Sequence, residues 1–124
     1  MTLKVRVVQG RSFSKTVFLE GRLNNETVAT LDAELRKIVD SPTTVVVLDL
    51  ADLEYISSAG LRSIFAIQKT MAARGGRALL LSPTPQVQKV LEIVNAADLA
   101  AVFTSVEELD QYLDEIQRKI VEGQ

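Results

Sequence analysis

The sequence contains neither histidine nor cysteine. Their absence excludes a Ser-His-Asp or Cys-His nucleophilic system, a thiolate or imidazole metal site and any disulfide bond. The first six residues alternate in polarity instead of forming the apolar run of a signal peptide, and no segment approaches the roughly 20 apolar residues that span a bilayer. We therefore expect a cytoplasmic protein with no metal, no other cofactor and no direct membrane contact.

The sequence also has no large excess of either charge. Fourteen basic and sixteen acidic residues give a formal net charge of −2, and the basic residues are scattered along the chain. Surfaces that bind nucleic acid concentrate Lys and Arg, so we expect no nucleic-acid partner. A length of 124 residues, 47% of them hydrophobic, is enough for one core, and we predict a single domain over residues 1–124.

The first half of the chain predicts a hairpin, a helix and a buried strand. Leu3, Val5 and Val7 alternate with polar residues, which predicts a first strand. The segment 15–20 carries three apolar residues at 17–19 and is the predicted antiparallel partner, which stops at Gly21. A helical period follows, with Asn25 as the predicted N-cap. The unbroken apolar run over 45–48 is typical of a strand that helices cover on both faces.

The next segment predicts a helix, a strand and a second helix. The first of these helices begins at Ser58, its predicted N-cap, and ends at the Gly75-Gly76 pair. A strand at 78–81 precedes a short helix with Thr84 as cap. The apolar side chains predicted to face inward from the helix that begins at Ser58 are Leu61, Ile64, Phe65, Met71 and Ala72.

The C-terminal part predicts a further strand and an amphipathic helix. Val102 and Phe103 are candidates for a short edge strand, and Ser105 with Glu108 forms a predicted capping box. The apolar stripe of the helix, with Gln117 outside it, consists of Leu109, Tyr112, Leu113, Ile116 and Ile120. Together the elements predict a small α/β sandwich whose mixed, mainly parallel sheet has four to five strands and about four helices.

One segment combines a structural pattern with chemistry. An apolar strand delivers two hydroxyl side chains, those of Ser57 and Ser58, to the start of a helix. A helix N-terminus has free backbone N–H groups and partial positive charge, which favour a phosphoryl group on Ser58, and Ala59 and Gly60 leave the approach open. The alternative is structural: Ser58 acts only as an N-cap, and Gly60 only permits close helix packing.

The segment from Asp49 to Leu61 resembles the signature of the STAS domain, as found in bacterial anti-sigma factor antagonists. The Gly-x-Leu segment at 21–27, which enters the first helix, is similar to a feature of the same family. The resemblance implies Ser58 as a phosphate acceptor, with Ser57 as the alternative. Well-known members carry Asp where this chain has Ser57, and a hydroxyl residue where it has Ala59.

The resemblance also implies a function, which is partner switching without catalysis. The unphosphorylated protein would bind a serine-protein kinase that is also the anti-sigma factor, and would displace what that kinase sequesters. Phosphorylation would end the binding, and a PP2C-type phosphatase would restore the free form. Because a dianion in a packed interface costs desolvation and like-charge repulsion, one phosphoryl group is enough to act as the switch.

The implied contact surface has three parts. They are the turn that contains Ser57 and Ser58, here called the serine turn, the outward face of the helix that follows it, and an asparagine pair at the same end of the sheet. Capping of the first helix is the alternative role of the asparagines. The surface consists of Asn24, Asn25, Ser57, Ser58, Ala59, Gly60, Arg62, Ser63 and Ala66.

Other functions fit the sequence less well. A phosphoreceiver domain would use Asp49, Asp52 and Glu54 around Mg²⁺, but the first strand contributes none of the carboxylates that such a site needs. The segment 74–77 lacks a phosphate-binding glycine motif, and a helix-to-strand turn accounts for it. A non-switching ligand-sensing or scaffold module of the same fold is the main alternative, and an enzyme is the third.

Overall fold

The computed structural model describes residues 2–96 and 106–122, which form one four-stranded sheet and four helices. The strand order is β1-β2-β3-β4, with β1 antiparallel to β2 and both other pairs parallel. The predicted mixed, mainly parallel α/β fold is therefore confirmed, while the edge strand predicted at 102–103 and Ser105 lie outside the described residues. In chain order the elements are β1 (Leu3–Gln9), β2 (Ser14–Leu23), α1 (Val28–Val39), β3 (Val45–Ile56), α2 (Ser58–Ala73), β4 (Arg77–Leu81), α3 (Pro85–Ala96) and α4 (Val106–Glu122).

The second strand is longer than predicted. It passes through Gly21 and ends at Leu23, and its parallel pairing with β3 contains irregularities between Phe18 and Glu20 and between Gly21 and Arg22. Gly21 has a φ of 112°, a left-handed backbone that glycine adopts readily, so it bends the strand instead of ending it. The extension brings Leu23 opposite Ile56, at the end of β3.

The apolar run at the start of β3 is buried on one face of the sheet, not on both. Val46 and Leu48 are fully buried, whereas Val45 and Val47 between them are half-buried. The neighbouring Leu79 on β4, which pairs with Val47, is exposed. The prediction of helices on both faces was wrong because an unbroken apolar run does not specify how many sheet faces are covered. None of the helices within 2–96 and 106–122 is long and apolar enough to cross a membrane.

The first helix begins three residues after the predicted cap. Asn24 Oδ1 accepts hydrogen bonds from the backbone N–H groups of Glu26 and Thr27, at 2.9 and 3.0 Å. Thr27 occupies the N-cap position, but its hydroxyl donates to Arg22 O at 2.7 Å and makes no cap bond. The prediction of Asn25 as the cap was wrong, because the side chain of Asn24 stabilises a turn before the helix starts.

The core side of α2 also differs from the prediction. Leu61, Ile64 and Met71 are buried as predicted, but the third apolar position on this face is Ile67. Phe65 and Ala72 are exposed, since they lie about one residue away from the row of buried positions.

The short helix α3 packs one apolar face into the core. Val87, Val90 and Leu91 are buried. Thr84 precedes the helix and accepts from Gln88 N through its carbonyl oxygen at 2.8 Å, while its hydroxyl donates to Leu53 O at 2.9 Å. Thr84 therefore ties the start of α3 to β3.

Candidate functional site

The turn between β3 and α2 consists of a single residue, Ser57. Its backbone is extended, with φ −98° and ψ 175°, and its N–H donates to Leu23 O at 2.9 Å. Its Oγ accepts from Gly60 N at 3.3 Å, which is the geometry of an N-cap. The prediction of Ser58 as the cap was therefore wrong: the helix starts at Ser58, and a cap hydroxyl reaches the N–H three residues ahead.

Ser58 is the first residue of α2 and is recessed. Its exposed fraction is 7%, against 3% for Ser57, so neither serine projects into solvent and the open approach expected at Ser58 is not observed. The position still lies in the first turn, where backbone N–H groups lack helical partners and the helix dipole is positive. Ala59 beside it is half-buried, and its short side chain does not block the approach. Since Ser58 is recessed, a protein that reaches its hydroxyl must come close to the turn.

Gly60 is a packing residue. It is buried, and a Cβ atom at this position would lie 2.6 Å from Leu23 Cγ and 2.8 Å from Leu23 Cδ2. The same atom would lie 3.1 Å from Ile56 Cγ1. The close approach of α2 to β2 and β3 therefore requires glycine here, and Gly60 is not available at the surface as a partner contact.

A groove of about 390 Å³ runs between α1 and α2. Three of the predicted contact residues, Arg62, Ser63 and Ala66, line its α2 side. Ser63 Oγ donates to Asp32 Oδ1 at 2.6 Å, and this bond joins the two helices across the groove. The remaining lining residues are Leu35, Arg36, Val39, Ile67 and Thr70.

The outward face of α2 contains Phe65, which was predicted to face inward. Phe65 is 36% exposed and adjoins Ala66, with Arg62 and Lys69 as exposed neighbours one turn away. Aromatic side chains and arginine are enriched in protein interfaces, so the exposed Phe65 beside Arg62 is a candidate contact for a partner. In the sequence, Phe65 is offset by one position from the row of buried residues at 61, 64, 67 and 71, and this offset indicates that it is exposed.

The asparagine pair lies beside the serine turn, as predicted. Asn24, Asn25, Glu26, Tyr55 and Ser57 line a crevice of about 260 Å³. Because the side chain of Asn24 is used within its own turn, and Asn25 is exposed, Asn25 is the member of the pair that a partner could contact.

A further residue of the site was missed. Gln117 of α4 is only 2% exposed, and its side-chain amide contacts the backbone of Ile56. Oε1 accepts from Ile56 N at 2.8 Å, and Nε2 donates to Ile56 O at 2.8 Å and to Leu113 O at 3.1 Å. The prediction that Gln117 lies outside the buried stripe was wrong, because it follows the fully buried Leu113 by four residues.

The carboxylates near the end of β3 form no metal site. Asp49 Oδ1 accepts from Ala51 N at 3.0 Å, while Asp52 and Glu54 are exposed. Across residues 2–96 and 106–122, no group of three or more Asp and Glu side chains could hold a metal ion.

Comparisons with known proteins agree on one family. A family model for the STAS domain matches residues 4–109 of this chain. The chain is also similar to BtrV of Bordetella bronchiseptica, a protein assigned as an anti-sigma factor antagonist. The two are 38% identical over 89 residues, which make up 72% of this chain and 77% of the relative.

Two solved structures show the same fold. An anti-sigma factor antagonist from Mycobacterium paratuberculosis has a TM-score of 0.68 and 18% identity, over 93% of this chain and 94% of that one. SpoIIAA of Bacillus, solved in its phosphorylated form, has a TM-score of 0.64 and 19% identity, over 80% of this chain and 96% of that one.

Proposed function

The chain belongs to the STAS domain family, and from this premise we propose that it is an anti-sigma factor antagonist in a partner-switching pathway. In its unphosphorylated form it binds a serine-protein kinase that is also the anti-sigma factor. Phosphorylation of Ser58 by this kinase releases it, and a PP2C-type phosphatase returns it to the binding form. The protein acts by occupying a surface and performs no catalysis itself.

The proposal depends mainly on the position of Ser58 in the first turn of α2, directly after the capping residue. A phosphoryl group there would meet the positive end of the helix dipole and free backbone N–H groups, so the fold would tolerate it. Modification of Ser57 would instead disturb the bond from Gly60 N to Ser57 Oγ. These contacts support Ser58 as the acceptor and give Ser57 a capping role.

The release step follows from charge. The recessed Ser58 requires the kinase to contact the turn itself, so the acceptor lies inside the interface. Phosphorylation adds about −1.5 to −2 charges there. A dianion within a packed interface costs desolvation and repels carboxylates of the partner, which lowers affinity without any rearrangement of this fold.

The docking surface on α2 indicates the chemistry of the partner. Phe65 and Ala66 form an exposed apolar centre, and Arg62 and Lys69 flank it with positive charge. An apolar depression with acidic residues around it would complement this surface. Phosphorylation at the adjoining turn would bring negative charge toward the same acidic rim, which strengthens the argument for release.

A second candidate function is a non-switching ligand-sensing module. The groove between α1 and α2 has a volume of about 390 Å³ and apolar lining from Leu35, Val39 and Ile67. This volume lies within the range of small-molecule pockets. Such a module would bind its partner equally well with and without phosphate on Ser58.

The test is phosphorylation of the purified protein. We would incubate it with ATP and each candidate serine kinase from the same genome, and locate the phosphate by mass spectrometry. The expected result is one phosphate on Ser58, lost in a folded Ser58→Ala variant and largely retained in Ser57→Ala. Full labelling of folded Ser58→Ala would contradict the assignment of the acceptor.

A further inference from the structure

Beyond the point where β4 stops, side chains provide hydrogen-bond partners for the backbone of β3. The pairing between β3 and β4 ends at Asp49 opposite Leu81, seven residues before Ile56. Beyond that point, side chains from the α3 region and from α4 bond to the backbone of β3. They are Thr84 to Leu53 O, Gln86 to Glu54 O, and Gln117 to both Ile56 N and Ile56 O.

Gln117 differs from the other two side chains because it satisfies a donor and an acceptor together. Its amide forms two 2.8 Å bonds with Ile56, as the backbone of an adjacent strand would. Its third bond, to Leu113 O, orients the amide from within α4. The glutamine is 2% exposed, so water does not readily replace these bonds.

We propose that Gln117 is a positioning residue for phosphorylation, which holds the serine turn in the conformation that a kinase recognises. This inference rests on the proposed function. The turn is fixed from two sides: Ser57 N donates to Leu23 O on β2, and Ile56 is held by Gln117 on α4. Ser58 is two residues beyond Ile56, so loss of one side changes how the acceptor hydroxyl is presented.

A positioning residue and a docking residue should affect different kinetic constants, kcat and KM, of phosphate transfer to Ser58. Gln117 is buried and touches the backbone before the turn, whereas the proposed docking residues Phe65 and Ala66 lie on the exposed face of α2. Loss of the two bonds between Gln117 and Ile56 should therefore leave KM nearly unchanged and lower kcat, because a misplacement of about 1 Å at a reacting group can reduce a rate about 100-fold.

The experiment compares three variants of the full chain with the wild type. Gln117→Leu keeps the approximate volume and removes the amide, Gln117→Glu keeps an acceptor for Ile56 N, and Gln111→Leu is a matched control at an exposed position of the same helix. We would measure kcat and KM for phosphate transfer to Ser58, and amide hydrogen exchange in the free proteins. Circular dichroism identifies the temperature at which each variant is folded.

The expected result is a fall in kcat of about tenfold or more for Gln117→Leu, with KM within about twofold of the wild type. Gln117→Glu should also lower kcat, because its carboxylate keeps the acceptor for Ile56 N but would face the carbonyl oxygens of Ile56 and Leu113 without a donor. Exchange at residues 56–60 should accelerate relative to the β1-β2 hairpin of the same variant, and Gln111→Leu should match the wild type. Unchanged kcat in folded Gln117→Leu would overturn the positioning role, and if that variant does not fold, Gln117→Glu decides in the same way. Wild-type protein that accepts no phosphate on Ser58 would instead overturn the proposed function and, with it, this inference.

Discussion

Gly60→Ala tests how tightly the serine turn is packed. The added Cβ would lie 2.6 and 2.8 Å from two carbon atoms of Leu23 and 3.1 Å from Ile56 Cγ1, all well inside ordinary contact distance. Leu23 and Ile56 are fully buried, so neither can move into solvent. Overpacking of this kind costs about 1–3 kcal/mol, and the better helix propensity of alanine offsets at most about 1 kcal/mol.

We therefore expect Gly60→Ala to lower the free energy of unfolding by about 1–2 kcal/mol. For a chain of 124 residues, each kcal/mol corresponds to about 4 °C in Tm, so the expected decrease is about 4–8 °C. Urea unfolding monitored by circular dichroism measures the free energy, and a thermal scan measures Tm.

A double-mutant cycle identifies the cause of this destabilisation. Leu23→Ala removes both leucine atoms that the new Cβ would meet, and alone should cost about 2–5 kcal/mol as a cavity. If steric overlap is the cause, the double variant should be more stable than the sum of the single effects predicts, by about 1 kcal/mol. Additive effects, or a Gly60→Ala variant as stable as the wild type, would refute the packing argument.

Three further predictions concern the cap and the docking surface. Ser57→Ala should destabilise the protein by about 0.5–2 kcal/mol in urea unfolding through loss of the N-cap bond, and Ser58→Ala should cost less; the reverse order would contradict the capping assignment. Phe65→Ala should weaken kinase binding at least tenfold in calorimetry with little change in Tm, because the side chain is partly exposed in the free protein. Ala66→Glu should also weaken binding, whereas Gln88→Glu at an exposed position of α3 should not; damage by Gln88→Glu alone would place the partner elsewhere.

Much of the fold could be predicted because its signals are local. The alternation of Leu3, Val5 and Val7 and the helical period that follows Asn25 predicted a strand and a helix that the structure contains. The coverage of the sheet could not be predicted in this way, because Val45 and Val47 are as apolar as Val46 and differ only in which face the helices cover.

The site was predicted less completely, since its details depend on contacts between distant residues. Ser57 and Ser58 are equally good caps by type, and the choice is made by where α2 starts after Ser57 N pairs with Leu23 O. Gln117 is 61 residues from Ile56 in sequence, so no local pattern could reveal the bonds between them. Phe65 was wrongly predicted to face the core because the helical period does not fix the edge of the buried face to within one residue.

The most direct test of the switch is the affinity of the kinase for the two forms of this protein. Calorimetry would compare the unphosphorylated protein with protein phosphorylated at Ser58, at one ionic strength and with Tm measured for both. We predict that phosphorylation weakens binding at least tenfold, about 1.4 kcal/mol, while Tm remains within a few degrees. Equal affinity of the two forms would contradict partner switching and would favour the non-switching module.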